Sequence, residues 1–450
     1  QKVREATEPS SPTVILMDPP PDSDLPHSWD RFLASGAPKE EDPGLTALAA
    51  AQQPEDLASI LYTSGTTGEP KGVCLTHRNL TAATAVMPLL GAVLGKEQVL
   101  SFLPLAHIFG RVVDLGFFGS GASIAYAPSL DRLPEEMKRY RPTVFAAVPR
   151  VFEKAYAAVQ GRIATSPPWR KQLARACIAA ALRRQAGQAS PWDALLYALG
   201  DRLIFRRIRE GMGGKLRIVI SGGAPLPLDI LRFFWAVGVP LYEGYGLTEA
   251  GVLCVNLPGR TRLGSVGIPL PGVEILIEKD GEVLARGPVV MQGFHKASLT
   301  AEALDAQGWL HTGDLGRIED TFLFITGRKK ELMKTAGGKY IAPAALEQRL
   351  LALSCISQAM AVADGRPYPA ALVVPDLDVL RQALVDRGLG EAPAEALCAD
   401  ARALAYVEAE AEKAMGELPR YEQVKRVALL PEPFTVEAGE LTPTLKMKRA

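Results

Sequence analysis

Apolar and polar positions follow two rhythms along the chain. Up to about residue 245, short apolar runs recur between helix-like stretches: TVILMD (13–18), LASILYTS (57–64), VLSFLPL (99–105), ASIAYA (122–127), TVFAAVP (143–149), RIVISGG (217–223) and VPLYEGYG (239–246). Runs rich in β-branched and aromatic side chains, alternating with helical segments, predict buried and largely parallel strands joined by crossover helices. Between about 264 and 326 the rhythm shortens. Gly and Pro turns punctuate VEILIEKDGEVLARGP (273–288) and TFLFITG (321–327), predicting a small β-rich subdomain. After GRKKEL (327–332) a fresh α+β pattern runs to the end. The expected fold class is α/β: a large N-terminal domain of parallel-sheet α/β subdomains plus a small β-rich subdomain over 1–327. A junction at 328–330 and a small α+β C-terminal domain over 331–450 follow.

Composition narrows the classes. A chain of 450 residues, 48% hydrophobic and 22% charged, is long enough for more than one core. Its formal net charge is zero, so no global field draws nucleic acid and any polyanion site is local. No apolar run reaches the roughly 18 residues that a membrane-spanning helix needs. Cys74, Cys177, Cys254, Cys355 and Cys398 show neither CxxC pairing nor metal-ligand spacing, as expected of reduced thiols in a soluble cytoplasmic protein. Oligomeric state is not legible.

One region departs from neutrality. Residues 150–217 carry 14 Lys and Arg against 4 Asp and Glu. A solvated outer face of helices explains this plainly; a surface resting on anionic lipid, with Trp169 and Trp192 at the interface, is the sharper alternative.

Several stretches carry chemistry. LYTSGTTGEPKG (61–72) delivers Gly65 and Gly68, which let backbone N–H groups turn toward a ligand, with Thr63, Ser64, Thr66 and Thr67 as donors around them and Lys71 as a charge. It is a phosphate cradle whose spacing is not that of the common nucleotide loop. A single lysine does not neutralise a triphosphate, so a divalent metal is expected. In YEGYGLTEA (242–250), Tyr245 offers a stacking face beside Gly246, and Glu249 offers hard oxygen for Mg²⁺ next to the Thr248 hydroxyl. SGGAPL (221–226), with Gly222, Gly223, Ala224 and Pro225, is a Gly-rich strand exit against which a flat base could lie. In GWLHTGDLG (308–316), Asp314 is an acceptor suited to paired ribose hydroxyls. GRKKELMKTAGGKY (327–340) brings Arg328 as a forked donor and then a loop with Gly338 and Lys339, and LTPTLKMKR (441–449) brings Lys446.

Taken in order, YTSGTTGEPKG, GYGLTEA, GWLHTGDLG, GRKKEL and LTPTLKMKR resemble the adenylate-forming, AMP-binding superfamily of acyl-CoA synthetases, luciferases and peptide-synthetase adenylation domains. FLPLAHIFGRV (102–112), VPRVFEKAY (148–156) and the helical insert after them are similar to bacterial long-chain fatty acyl-CoA synthetases. The resemblance implies a two-step ligase acting on a fatty acid, ATP and coenzyme A with Mg²⁺. The carboxylate attacks the α-phosphate to give acyl-adenylate and pyrophosphate, and the thiol then displaces AMP. It assigns the 63–68 loop and Lys71 to the departing phosphates, Thr248 and Glu249 to Mg²⁺, Tyr245 and 222–225 to adenine, and Asp314 and Arg328 to the ribose. Lys446 corresponds to the catalytic lysine of adenylation, His107 to a residue near the acyl carboxylate, and Lys330 to the hinge. The loop at Gly338 and Lys339 corresponds to a face that admits coenzyme A once the small domain has rotated. An acyl-AMP ligase serving a carrier protein, and a binding protein without turnover, are the alternatives. Such enzymes carry about a hundred further residues ahead of the stretch matching residue 1, so a truncated large domain is expected. RIEDTFLFITG (317–327) also lacks the Asp-Gly turn usual near Asp320.

Overall fold

The structure is a computed structural model that describes residues 43–64, 70–92, 95–416, 418–435, 438–441 and 447–448. The run TVILMD, the loop positions Gly65, Thr66, Thr67 and Gly68, and Lys446 lie outside the described residues. The chain forms two compact units, Gln1–Asp56 and Leu57–Ala450. In the first, Pro43–Ala51 is a helix exposed along its whole length.

The second unit is built on a seven-stranded sheet of order β4-β3-β5-β6-β7-β8-β9. Its strands are β3 Gln98–Ser101, β4 Ser123–Tyr126, β5 Val144–Ala147, β6 Ile218–Ser221, β7 Leu241–Tyr245, β8 Cys254–Val255 and β9 Ile268–Pro269. The first five in that spatial order are parallel, and β8 and β9 add on antiparallel. Every residue of β5 and β6 is buried, as an uninterrupted apolar run in a sheet covered on both faces requires.

β1 (Leu57–Ser64) departs from the parallel expectation. It pairs antiparallel with β2 (Pro70–Thr76), which pairs antiparallel with β12 (Gly293–Phe294), in a separate three-stranded sheet. An apolar run reports burial but not direction, and the short connection from Ser64 to Pro70 allows only a hairpin. The β-rich expectation for 264–326 holds in an antiparallel sheet of β10 (Glu274–Ile277), β11 (Glu282–Arg286), β13 (Leu310–Glu319) and β14 (Phe322–Arg328). The missing Asp-Gly has a local consequence. β13 and β14 join through Asp320 and Thr321, both in the left-handed region with φ 46° and 77°. A hairpin of two turn residues needs that conformation whatever the side chains are.

Residues 150–217 are helical as expected. Labelled in chain order, α1 is Ile108–Gly119, α2 Pro149–Ala164, α3 Pro168–Gln185 and α4 Pro191–Gly200; a π-turn at Asp201–Phe205 and a short helix Arg206–Gly211 follow α4. They dock on the sheet through an aromatic core. Phe152 meets Phe145 and Phe234 edge-on, with ring centres 6.3 and 5.8 Å apart, and all three are almost fully buried. Each such ring stabilises the packing by about 1.5–3 kcal/mol.

After Arg328 the chain builds β15 (Met333–Lys334) with β16 (Tyr340–Ile341), and a sheet of β17 (Ile356–Val362), β18 (Ala370–Pro375) and β19 (Arg426–Leu429). Helices Pro343–Leu351 and Ala401–Met415 share with these strands a hydrophobic cluster drawn wholly from residues 333–427. No described helix is long and apolar enough to cross a membrane. All five cysteines are free thiols.

Candidate active site

β6 and β7 are neighbours in register, Ser221 opposite Glu243, and both strands end at the same edge of the sheet. Loops leaving the carboxyl ends of adjacent parallel strands form a natural ligand crevice. The turn Gly222–Pro225 leaves β6 there, and Gly246–Glu249 leaves β7. Gly223 takes φ 85°, open to glycine at no cost. At Gly246 a Cβ would lie 1.8 Å from the Gly251 carbonyl oxygen, so no other residue fits that bend.

Further elements bring side chains to the same cavity, whose volume is about 3470 Å³. Thr63 and Lys71 come from the β1–β2 hairpin, His107 from the start of α1, and Asp314, Arg328 and Lys330 from β13, β14 and the segment after them. The sequence-derived residues Gly222, Gly223, Ala224, Pro225, Tyr245, Gly246, Thr248 and Glu249 line it with them. Leu441 and Met447, on either side of the undescribed 442–446, are bridged to each other and also line it. Gly338 and Lys339 do not. They form the β15–β16 turn, where Thr335 N–H donates to the Lys339 carbonyl at 2.9 Å and the Lys339 ammonium sits 5.7 Å from the Tyr421 ring centre.

At the centre, Asp314 and Arg328 face each other across β13 and β14, and Arg328 Nε donates to Asp314 Oδ1 at 2.7 Å. The Tyr245 hydroxyl donates to Asp314 Oδ2 at 2.7 Å. Burial, followed by the Asp314 charge and hydrogen bond, pushes the Tyr245 phenol well above its ordinary value, so it is a neutral donor. Each Asp314 oxygen therefore holds one fixed donor and retains acceptor capacity for hydroxyls of a ligand.

Glu249 is suited to a different ligand. Burial raises its carboxyl above the ordinary value, a rise opposed by its own backbone N–H and by the charges of Arg328 and Lys71. Among the described residues no other side chain donates a hydrogen bond to it. A desolvated carboxylate beside the Thr248 hydroxyl, facing a cavity that also receives Lys71, fits a divalent cation with oxygen ligands. Lys71 lies 5.6 Å from the centre of the Phe294 ring, which borders it on the apolar side. His107 caps α1: its Nδ1 accepts the Phe109 N–H at 3.2 Å, which puts the proton of the neutral ring on Nε2.

Sequence reasoning missed two acids in this cavity. Glu243 is 8% exposed, and burial lifts its carboxyl to about 7, with the Leu226 N–H as its counterweight. Glu282, at the start of β11, accepts the Gly313 N–H on Oε1 at 2.9 Å and the Lys329 ammonium on Oε2 at 2.8 Å. Burial alone would raise its carboxyl; the bonds from Lys329 and Gly313 outweigh that and hold it below its ordinary value. An acidic residue opening the apolar run Val283–Ala285 was the available signal.

Much of the remaining wall of the cavity is apolar, interrupted by basic side chains such as Arg150, Lys154, Arg162, Arg170 and Arg207. Met87, Leu90, Phe102, Val159, Leu173 and Ile204 are among its walls, from the start of the unit to the π-turn after α4. Typical small-molecule pockets hold about 300–1,000 Å³, so this one has room for more than one ligand.

Residues 2–295 match the AMP-binding enzyme family. The long-chain-fatty-acid–CoA ligase FadD15 of Mycobacterium tuberculosis is 38% identical over 94% of this chain and 72% of its own length. Long-chain-fatty-acid–CoA ligase 1 of Homo sapiens is 36% identical over 88% of this chain and 59% of its own. Among solved structures, the adenylation domain of the carboxylate reductase of Mycobacterium chelonae superposes with a TM-score of 0.72 at 22% identity, over 94% of this chain and 61% of that one. The O-succinylbenzoate coenzyme A synthetase of Bacillus subtilis with AMP gives 0.60 at 23% identity, over 88% and 68%. The fold is that of adenylate-forming enzymes, and with the family matched over more than half its length the chain belongs to the AMP-binding enzymes.

Proposed function

We infer that this chain is a long-chain fatty acid–CoA ligase, activating its substrate with ATP through an acyl-adenylate and passing the acyl group to coenzyme A. The observation that carries the reading is the continuity of one cavity from the Asp314–Arg328–Tyr245 cluster to a wall where α2, α3 and the π-turn contribute Val151, Val159, Ile163, Leu173, Leu203 and Ile204. A molecule with one charged end and a long apolar tail matches that gradient, and the names of the relatives agree with it.

In the first step an anion approaches a polyanion, so the site's work is charge neutralisation and alignment. Lys71 and Thr63, with Ser64 and the 65–68 loop, hold the β- and γ-phosphates that depart. Glu249 and Thr248 hold Mg²⁺, which when bound offsets the phosphate charge. Tyr245 and Gly222–Pro225 hold adenine, and Asp314 and Arg328 hold the ribose. His107 faces the acyl carboxylate and Lys446 bridges it to the α-phosphate. The part after Lys330 is the mobile domain, and its rotation brings Gly338 and Lys339 to coenzyme A; the separate hydrophobic cluster of 333–427 supports this division. Pyrophosphate release and oleoyl-CoA formation from oleate, ATP, Mg²⁺ and coenzyme A test the reading. Pyrophosphate without thioester would point to a carrier-protein acceptor instead.

The basic segment contacts anionic lipid at a membrane surface. Arg150, Arg183, Arg206, Arg209 and Arg217 each pair with a carboxylate, and the other nine basic side chains of 150–217 have no such partner among the described residues. Trp192, Leu195, Leu199 and Leu203 are exposed at helical spacing along one face of α4 and the π-turn, and Trp169 is 62% exposed. An apolar stripe flanked by unpaired arginines is the pattern of an interfacial helix.

A further inference from the structure

We propose that Glu282 is a positioning residue that holds the ribose-binding pair in place and fixes where the hinge begins. The proposal rests on the reading of Asp314 as the ribose ligand.

The two oxygens of Glu282 hold β13 and the turn that follows β14. Oε1 accepts the N–H of Gly313, the residue before Asp314; Oε2 accepts the ammonium of Lys329, the residue after Arg328. Asp314 and Arg328 are cross-strand partners, so one carboxylate holds the Gly313 main chain on one side of the pair and the Lys329 side chain on the other. The neighbouring geometry reinforces this. Thr312 Oγ1 donates to the Val283 carbonyl at 2.7 Å and accepts the Asp314 N–H at 3.1 Å, tying the same bend to β11 a second time.

Charge makes the clamp directional. Lys329 also pairs with Asp280 at 2.5 Å, while its side chain is 45% exposed; Glu282 is 6% exposed. A buried carboxylate that lost its ammonium would be left uncompensated, so the pair resists separation. His311 Nδ1 lies 3.7 Å from Glu282 Oε2, and a Glu278 carboxylate oxygen lies within 4.8 Å of both residues' polar atoms. With Lys330 read as the hinge, anchoring Lys329 keeps the ribose pair with the β-rich sheet when the segment beyond it moves.

A merely structural ion pair would change stability without changing which nucleotide is preferred. The test is therefore discrimination between ATP and 2′-deoxy-ATP in pyrophosphate release. The intact enzyme should favour ATP by at least about tenfold in KM, because a site built to bond a hydroxyl rejects the analogue lacking it. Lys329→Met and Glu282→Gln should each reduce that preference to under about threefold, with the fatty acid KM unchanged, and Lys329→Arg should restore it. Lys329 is half-exposed, so its replacement leaves a folded protein to assay. If both variants keep the full preference while Asp314→Asn loses it, the role given to Glu282 is overturned and the ribose reading stands. If Asp314→Asn also keeps it, the ribose reading fails and takes the proposal with it.

Discussion

The Tyr245 phenol and the Asp314 carboxylate, expected to hold two different parts of one nucleotide, are hydrogen-bonded to each other at 2.7 Å. In the proposed reading, base and sugar recognition form one unit. Tyr245→Phe removes a bond to a charged acceptor, worth about 1.5–3 kcal/mol, while keeping the aromatic face. The KM for ATP should rise about 10- to 100-fold with little change for the fatty acid, as steady-state kinetics with each substrate varied in turn would show. An unchanged ATP KM would separate the two contacts.

Glu243 ties stability to pH. Its carboxyl titrates at about 7 in the folded chain against an ordinary 4.5, so the native state holds more protons than the unfolded state between those values. Stability conferred by the protonated acid is full below the lower value, declines as pH rises through the window, and levels off above it. Glu243→Gln can still accept from Leu226 N–H and no longer titrates. The difference in unfolding midpoint, variant minus parent, should climb from pH 5 to pH 8, by at most about 3 kcal/mol in free energy. A flat difference would mean that Glu243 stays ionised.

The Asp320–Thr321 turn stores strain. A β-branched residue at φ 77° is a rare conformer costing about 1–3 kcal/mol. Thr321→Gly relieves it and leaves the Asp320–Arg262 pair at 3.0 Å untouched. Thermal unfolding should shift upward by a few degrees, with activity unaffected; a downward shift would mean that glycine's extra freedom in the unfolded chain outweighs the relief.

For the lipid-facing surface, vesicles of phosphatidylcholine alone should leave the protein in the supernatant, and vesicles with anionic phosphatidylglycerol should sediment it. Replacing Lys171, Arg175 and Arg202, none of which lines the cavity, together by Glu should abolish the anionic dependence while pyrophosphate release in detergent-solubilised oleate continues, each charge near the surface being worth about 1 kcal/mol. Sedimentation indifferent to lipid charge would remove the proposal.

Local chemistry was legible wherever residues adjacent in sequence stay adjacent in space. Gly222–Pro225 and Tyr245–Glu249 are strand exits, and their composition announced them. Pairing across elements was less so. Asp314 and Arg328 were both foreseen, but their contact depends on the register of β13 and β14, set by a turn whose residues give no hairpin signal. Glu282 escaped notice because its partners lie 31 and 47 residues downstream. The antiparallel pairing of β1 was hidden for a related reason, since hydrophobic pattern fixes which face is buried and says nothing of chain direction.

Arg150, at the start of α2, donates through Nη1 to the main-chain carbonyl of Ser357 on β17 at 3.0 Å, and the same nitrogen meets Glu153. A peptide oxygen is present whatever side chain occupies position 357. The contact thus registers where that strand lies and is blind to its composition, so drift in the sequence of β17 leaves this docking point intact so long as the backbone keeps its path.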